Sequence, residues 1–154
     1  MPSDDDRNNA NMARKAWLDQ VPIPSEQIHA IDGAGEPHQS AVAYEHTLRE
    51  FFRDEPNTFD LNLLGLGENG HTASLFPETA VLDETERWVA ETFVAEQDMN
   101  RITLTVPILN RAGLTVFPVS GAAKAQVLQD VLEGPSQPSV LPAQLIRPSD
   151  GQLL

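Results

Sequence analysis

The sequence contains no cysteine, which excludes disulfides, thiolate nucleophiles and cysteine-based metal sites. Basic charge is scarce: 10 Lys and Arg stand against 23 Asp and Glu, a formal net of −13. A field of that sign repels phosphate backbones and anionic lipid surfaces, so neither nucleic acid nor membrane is expected as a partner. Long apolar runs are also missing. Stretches such as 41–44 and 93–95 fall far short of the roughly 20 residues that a membrane-spanning helix needs. The opening Met1-Pro2-Ser3-Asp4-Asp5-Asp6 has neither the basic nor the apolar region of a secretory signal. These absences together predict a water-soluble, cytoplasmic chain, and 154 residues suit one domain with a real core.

What is present alternates in period. Residues 4–11 are polar and turn-like, and from Asn11 the apolar Met12, Ala13, Ala16, Trp17 and Val21 recur at helical spacing until Pro22 and Pro24. Residues 27–31 alternate enough to predict a short strand, and 32–37 read as a glycine-rich turn. Residues 39–52 place Ala41, Tyr44, Leu48, Phe51 and Phe52 on one helical face. Strands are predicted at 59–65, 88–94, 101–106 and 114–119, with helices at 107–111 and 122–132; the tail from Gly134 holds four prolines and only short ordered pieces. This alternation predicts an α/β, Rossmann-like domain with a mainly parallel sheet flanked by helices, and ligands bound at the C-terminal ends of the strands.

The chemistry concentrates in Gly65-Leu66-Gly67-Glu68-Asn69-Gly70-His71-Thr72-Ala73-Ser74-Leu75-Phe76-Pro77. Three glycines in six residues allow a tight turn and bring amides close to an oxyanion or phosphate, or else make a plain strand exit. The spacing matches a dinucleotide fingerprint only superficially, because no helix has room to open directly after it. His71 has the side chain best matched to acid–base work near neutral pH, although a turn histidine taken alone is more often a capping or surface residue. His29, His38 and His46 lie on other elements and form no metal-binding spacing, so no metal is expected. Ser74 lacks the elbow that marks a serine nucleophile.

The run Phe59-Asp60-Leu61-x-Leu63-Leu64-Gly65-x-Gly67-x-x-Gly70-His71-Thr72-Ala73-Ser74-Leu75-Phe76-Pro77 resembles the signature of the 6-phosphogluconolactonases. That family shares a superfamily with the glucosamine-6-phosphate deaminases. Further matches follow in order: Asn9 with Met12-Ala13-Arg14, Val21-Pro22-Ile23-Pro24, Arg101-Ile102-Thr103-Leu104-Thr105, Gly121-x-x-Lys124-Ala125 and Leu141-Pro142-Ala143. Deaminases carry an Asn-Glu-Pro segment where this chain has Leu75-Phe76-Pro77, so the resemblance favours the lactonases.

The resemblance implies hydrolysis of 6-phosphogluconolactone, a small sugar-phosphate lactone, to 6-phosphogluconate without metal or organic cofactor. The oligomeric state is left open. His71 would be the general base, and the loop carrying Gly65, Gly67, Asn69 and Gly70 would hold substrate and the developing oxyanion. Lys124, at the start of a predicted helix, is implied to bind the phosphate, with a solvated first-turn lysine as the plainer reading. Arg101 matches an arginine near the active site, or makes a structural ion pair. Asn9 matches a loop asparagine near the substrate, or caps a helix.

Two departures from the family pattern matter. Asn69 stands where the family usually has aspartate, so the acceptor beside His71 is neutral, which predicts a reduced rate. The family's N-terminal strands and Gly-rich phosphate loop lie upstream of the position matched by Met1-Pro2, and a C-terminal helix lies beyond Leu154. The expectation is therefore one partial lactonase domain over 1–154, the C-terminal two-thirds of the family module, with an incomplete sheet. The alternatives are an aminosugar-phosphate isomerase/deaminase, or an inactive sugar-phosphate-binding fragment.

Overall fold

The structure, a computed structural model, describes residue 5, residues 8–53 and residues 55–154. The Met1-Pro2 junction, and part of the polar stretch expected at 4–11, lie outside the described residues. Helix α1 (Asn9–Ala16) starts two residues earlier than the apolar pattern suggests, because Asn8 caps it, its Oδ1 accepting from the amides of Ala10 and Asn11 at 2.9 and 3.4 Å. It buries no residue, and Met12, Trp17 and Val21 are exposed, so the apolar spacing there is not a core stripe. The strand expected at 27–31 does not form. Ser25–Gln27 is a 3₁₀ turn, and the following chain is tied by the Tyr44 hydroxyl, which donates to the His29 carbonyl at 3.0 Å.

Helix α2 (Pro37–Phe52) begins with proline at a position that needs no amide donor, while the Glu36 carboxylate accepts from the Gln39 amide at 3.0 Å. Its apolar face delivers Ala41, Leu48 and Phe52 to a core shared with Trp88, Val89 and Ile108. The guanidiniums of Arg49 and Arg111 lie over the Trp88 ring, 4.4 and 4.9 Å from its centroid.

Strand β1 (Leu61–Leu63) is followed by the glycine-histidine loop, then by the hairpin of β2 (Val89–Val94) and β3 (Met99–Leu104). These two pair antiparallel as a separate ribbon, closed by a short turn in which Asp98 adopts the left-handed conformation, φ 47°. Helix α3 (Val106–Leu109) is short and buries Ile108 and Leu109 in two different core clusters. The side chains of Thr58 and Asn62 donate to its Ile108 and Leu109 carbonyls, at 3.3 and 3.1 Å. Strand β4 (Leu114–Val116) follows, shorter than expected, then a 3₁₀ turn at Ala122–Lys124, helix α4 (Ala125–Glu133) and strand β5 (Gln152–Leu153).

The main sheet is parallel, in the order β1-β4-β5. The fold class is as expected: a parallel sheet flanked by helices, to which the structure adds the antiparallel ribbon. Strand β1 lies at an edge, and among the described residues no strand pairs with its other side; Leu61 and Leu63 are exposed there. Because β1 and β4 are parallel neighbours, the loops that leave them emerge at the same end of the sheet. That end carries both His71 and Lys124.

Candidate active site

The His71 ring is held by two contacts, and its backbone by a third. Its Nδ1 lies 2.6 Å from Asn69 Oδ1, its face stacks on Phe76 with centroids 4.1 Å apart, and its amide also donates to Asn69 Oδ1 at 3.2 Å. An amide oxygen can only accept, so with this assignment of the Asn69 carboxamide Nδ1 carries the proton and Nε2 is left as the basic nitrogen. Half-burial pushes the His71 pKa below its ordinary 6.5, and the nearby charges of Lys124 and then Arg101 push it in the same direction, while Glu96 opposes them. At neutral pH the ring is uncharged and able to accept a proton.

The glycines have distinct roles. A methyl on Gly67 would overlap the His71 ring, lying 2.9 Å from Cγ and closer still to Nδ1 and Cε1. Gly70 has φ +77°, and a methyl there would meet Leu141 Cδ2 at 2.7 Å. The Gly67 and Gly70 amides are spent inside the loop, donating to the His71 and Gly67 carbonyls at 2.8 and 3.1 Å. They are therefore not free to hold an oxyanion in this conformation. The amides of Gly65 and Leu66 have no acceptor among the described residues, and a methyl on Gly65 would meet nothing within 4 Å. The loop is braced from the tail by Leu141 and by the Ala143 amide, which donates to the Gly70 carbonyl at 2.9 Å.

Lys124 is half-buried, its Nζ 3.9 Å from Glu68 Oε1 in the same loop as His71. It ends the 3₁₀ turn that precedes α4, so it stands at the entry to that helix rather than within it. Arg101 projects from β3 with its Nε and Nη2 both donating to Gln97 Oε1, at 3.1 and 2.5 Å. Its partner is thus a neutral amide, and among the described residues the carboxylate ion pair considered for it does not form.

Two clefts adjoin this group. One of about 440 Å³ is lined by Glu68, Asn69, Ala123 and Leu141. The other, about 630 Å³, is lined by Asn9, Tyr44, Ser74, Asn100 and Arg101. Asn9 is not the helix cap, since Asn8 fills that role. His71, Asn69, Lys124 and Arg101 are thus brought into one electrostatic neighbourhood, whereas Asn9 joins it only through the cleft it shares with Arg101. Sequence reasoning missed the roles of Phe76 and Glu96. The signal for Phe76 was its place within the loop motif; Glu96 has none, because a turn of the hairpin brings it near.

The family of glucosamine-6-phosphate isomerases/6-phosphogluconolactonase matches over residues 1–154. The chain belongs to this family. It is similar to the 6-phosphogluconolactonase of Synechocystis sp., 43% identical over 96% of this chain and 62% of that protein. The 6-phosphogluconolactonase of Nostoc sp. is 41% identical, with the same 96% and 62% covered. The crystal structure of the 6-phosphogluconolactonase from Thermotoga maritima superposes with a TM-score of 0.83 at 28% identity, covering 99% of this chain and 66% of that one. The chain therefore spans about three-fifths of the length of the curated relatives it matches.

Proposed function

We propose that this family member hydrolyses 6-phosphogluconolactone to 6-phosphogluconate, the second step of the oxidative pentose phosphate pathway, in the cytoplasm. The observation that carries the reading is a half-buried histidine whose Nδ1 lies 2.6 Å from Asn69 Oδ1 and whose pKa is lowered by burial, Lys124 and Arg101, in a chain of net charge −13. Nε2 takes a proton from the water that attacks the lactone carbonyl and returns it to the departing ring oxygen. The oxyanion is held by the amides of Gly65 and Leu66, a contact worth about 3–4 kcal/mol per good donor. Lys124 receives the phosphate, exchanging its exposed Glu68 partner for a dianion. The chemistry requires no metal or organic cofactor, and the partner is a small sugar-phosphate lactone rather than nucleic acid or membrane. Among the described residues no helix is long and apolar enough to cross a membrane.

The aminosugar-phosphate deaminase alternative is disfavoured at the positions that follow the histidine. Leu75 is fully buried and Phe76 is stacked on His71, so neither supplies the carboxylate that ring opening uses. The test is lactone hydrolysis measured above its spontaneous background for wild type and His71→Ala. A rate at least 10²-fold lower in the variant is expected, in the ~10²–10⁴ range typical of a general base. Equal rates would overturn the reading, and ammonia release from glucosamine 6-phosphate would replace it with the deaminase.

A further inference from the structure

Ser74 belongs to the same loop as His71 and has no part in the chemistry above. It sits in a turn closed by the Leu75 amide, which donates to the Thr72 carbonyl at 2.9 Å. Thr72 and Leu75 are both fully buried, and Ala73 between them takes φ 49°, the left-handed region that a non-glycine residue seldom enters. The Ser74 amide then reaches across to Thr103 Oγ1 at 3.1 Å, and the Thr103 hydroxyl donates onward to the Leu104 carbonyl at 2.9 Å. Thr103 and Arg101 are two apart on β3 and so share one face of the strand. Ser74 and Arg101 accordingly line the same cleft of about 630 Å³.

The Ser74 residue is only 8% exposed, and its hydroxyl has no hydrogen-bond partner among the described residues. Unlike the Thr72 and Thr115 hydroxyls, which are buried without a partner and line neither of the clefts described above, the Ser74 hydroxyl is not sealed from solvent, and the residue lines the cleft. Its other polar neighbours there include the neutral amides of Asn9 and Asn100, and Arg101 already gives two N–H groups to a neutral acceptor. A hydroxyl that both donates and accepts, set among carboxamides, matches the alcohol groups of a sugar chain better than a phosphate dianion.

We propose that Ser74 is a substrate-binding residue that, beside Arg101, holds the hydroxyl-bearing carbons of the sugar acid, while Lys124 holds its phosphate. This rests on the lactonase reading. Ser74 fixes how the polyol lies across the cleft and thereby selects a hydroxylated chain.

The test is binding of two probes, 6-phosphogluconate and inorganic phosphate, to wild type, Ser74→Ala, Ser74→Cys and Lys124→Ala by calorimetry, with thermal melts of each. Both Ser74 variants are expected to bind 6-phosphogluconate about tenfold more weakly, with phosphate binding unchanged. Lys124→Ala is expected to weaken both probes. Cysteine nearly preserves the volume, so a loss shared by both Ser74 variants at unchanged melting temperature reports the hydroxyl and not the packing. Unchanged 6-phosphogluconate affinity in the Ser74 variants overturns the proposal and leaves the lactonase reading intact, as does an equal loss for phosphate. Wild type that binds no 6-phosphogluconate overturns both.

Discussion

Replacing Gly67 by alanine is expected to disable the site while leaving the fold in place. The backbone at Gly67 is not left-handed, so the effect comes from the new methyl alone, which would overlap the His71 ring at Nδ1, Cε1 and Cγ. The ring has to move, and it cannot move without giving up its 2.6 Å bond to Asn69 and its stack on Phe76. Those two contacts are worth about 1 kcal/mol and about 0.5–1.5 kcal/mol, so the stability loss from them is about 2.5 kcal/mol at most. In a domain of this size that lowers Tm by several degrees, at about 2–4 °C per kcal/mol. The rate loss is larger. A displacement of about 1 Å in a catalytic group costs ~10²-fold, equivalent to about 3 kcal/mol in the barrier. Lactone hydrolysis followed at pH 7 with background subtraction, paired with a thermal melt, measures both. Gly65→Ala is the contrast: its methyl meets nothing in the protein, so its melt should match wild type while substrate affinity falls if that space is the substrate's. A Gly67→Ala protein that turns over within threefold of wild type would refute the claim that this glycine is there to admit the imidazole.

Because burial, Lys124 and Arg101 all lower the His71 pKa, the acid limb of kcat/KM should lie below pH 6.5. Lys124→Ala should shift that limb upward as well as raising KM, and Glu96→Gln should shift it downward; limbs that stay fixed in a pH–rate series would contradict the electrostatic assignment. Asn69→Asp puts a charge where the neutral acceptor of Nδ1 now stands, so it should raise the His71 pKa and increase turnover by about tenfold at pH 7; an unchanged or lower kcat would show that Asn69 is not limiting. Away from the site, Glu84 is held at a pKa of about 2 by the amides of Arg87 and Glu86 and by the Arg87 guanidinium. A carboxylate depressed in the folded state stabilises above its unfolded value of 4.5, and that contribution is lost as pH falls toward about 2. Glu84→Gln should therefore flatten acid unfolding in that window, and a melt series from pH 5 to pH 2 with the wild-type slope would count against it.

Helices α2 and α4 were legible because each carries apolar residues at helical spacing and buries part of that face, whereas strand β1 exposes its apolar Leu61 and Leu63 and buries Asn62 between them. The first helix carried a similar pattern and buries nothing, since Met12, Trp17 and Val21 find no facing element among the described residues. Residues 27–31 alternate but have no strand to pair with among the described residues, and alternation without a partner does not make a ladder. Strand β5 has two residues and no side-chain pattern; it is fixed by backbone bonds alone, the Gln152 and Leu154 amides donating to the Gly113 and Thr115 carbonyls at 3.0 and 2.9 Å. At the site, the histidine and the cations were visible as residue types in a motif. The use of each loop amide was not, because it depends on the turn conformation that Gly67 and Gly70 adopt together. The choice between Asn8 and Asn9 as helix cap turned on one residue of register, which two adjacent asparagines conceal.

The stack of His71 on Phe76 has a spectroscopic consequence. With the rings 4.1 Å apart and 18° from parallel, the imidazole protons lie in the shielding cone of the phenyl ring current. Of the four histidines in the chain, this one is expected to be set apart by an upfield-displaced resonance. The chain thus carries a magnetic label on its candidate base, one that would lose its displacement if the two rings were parted.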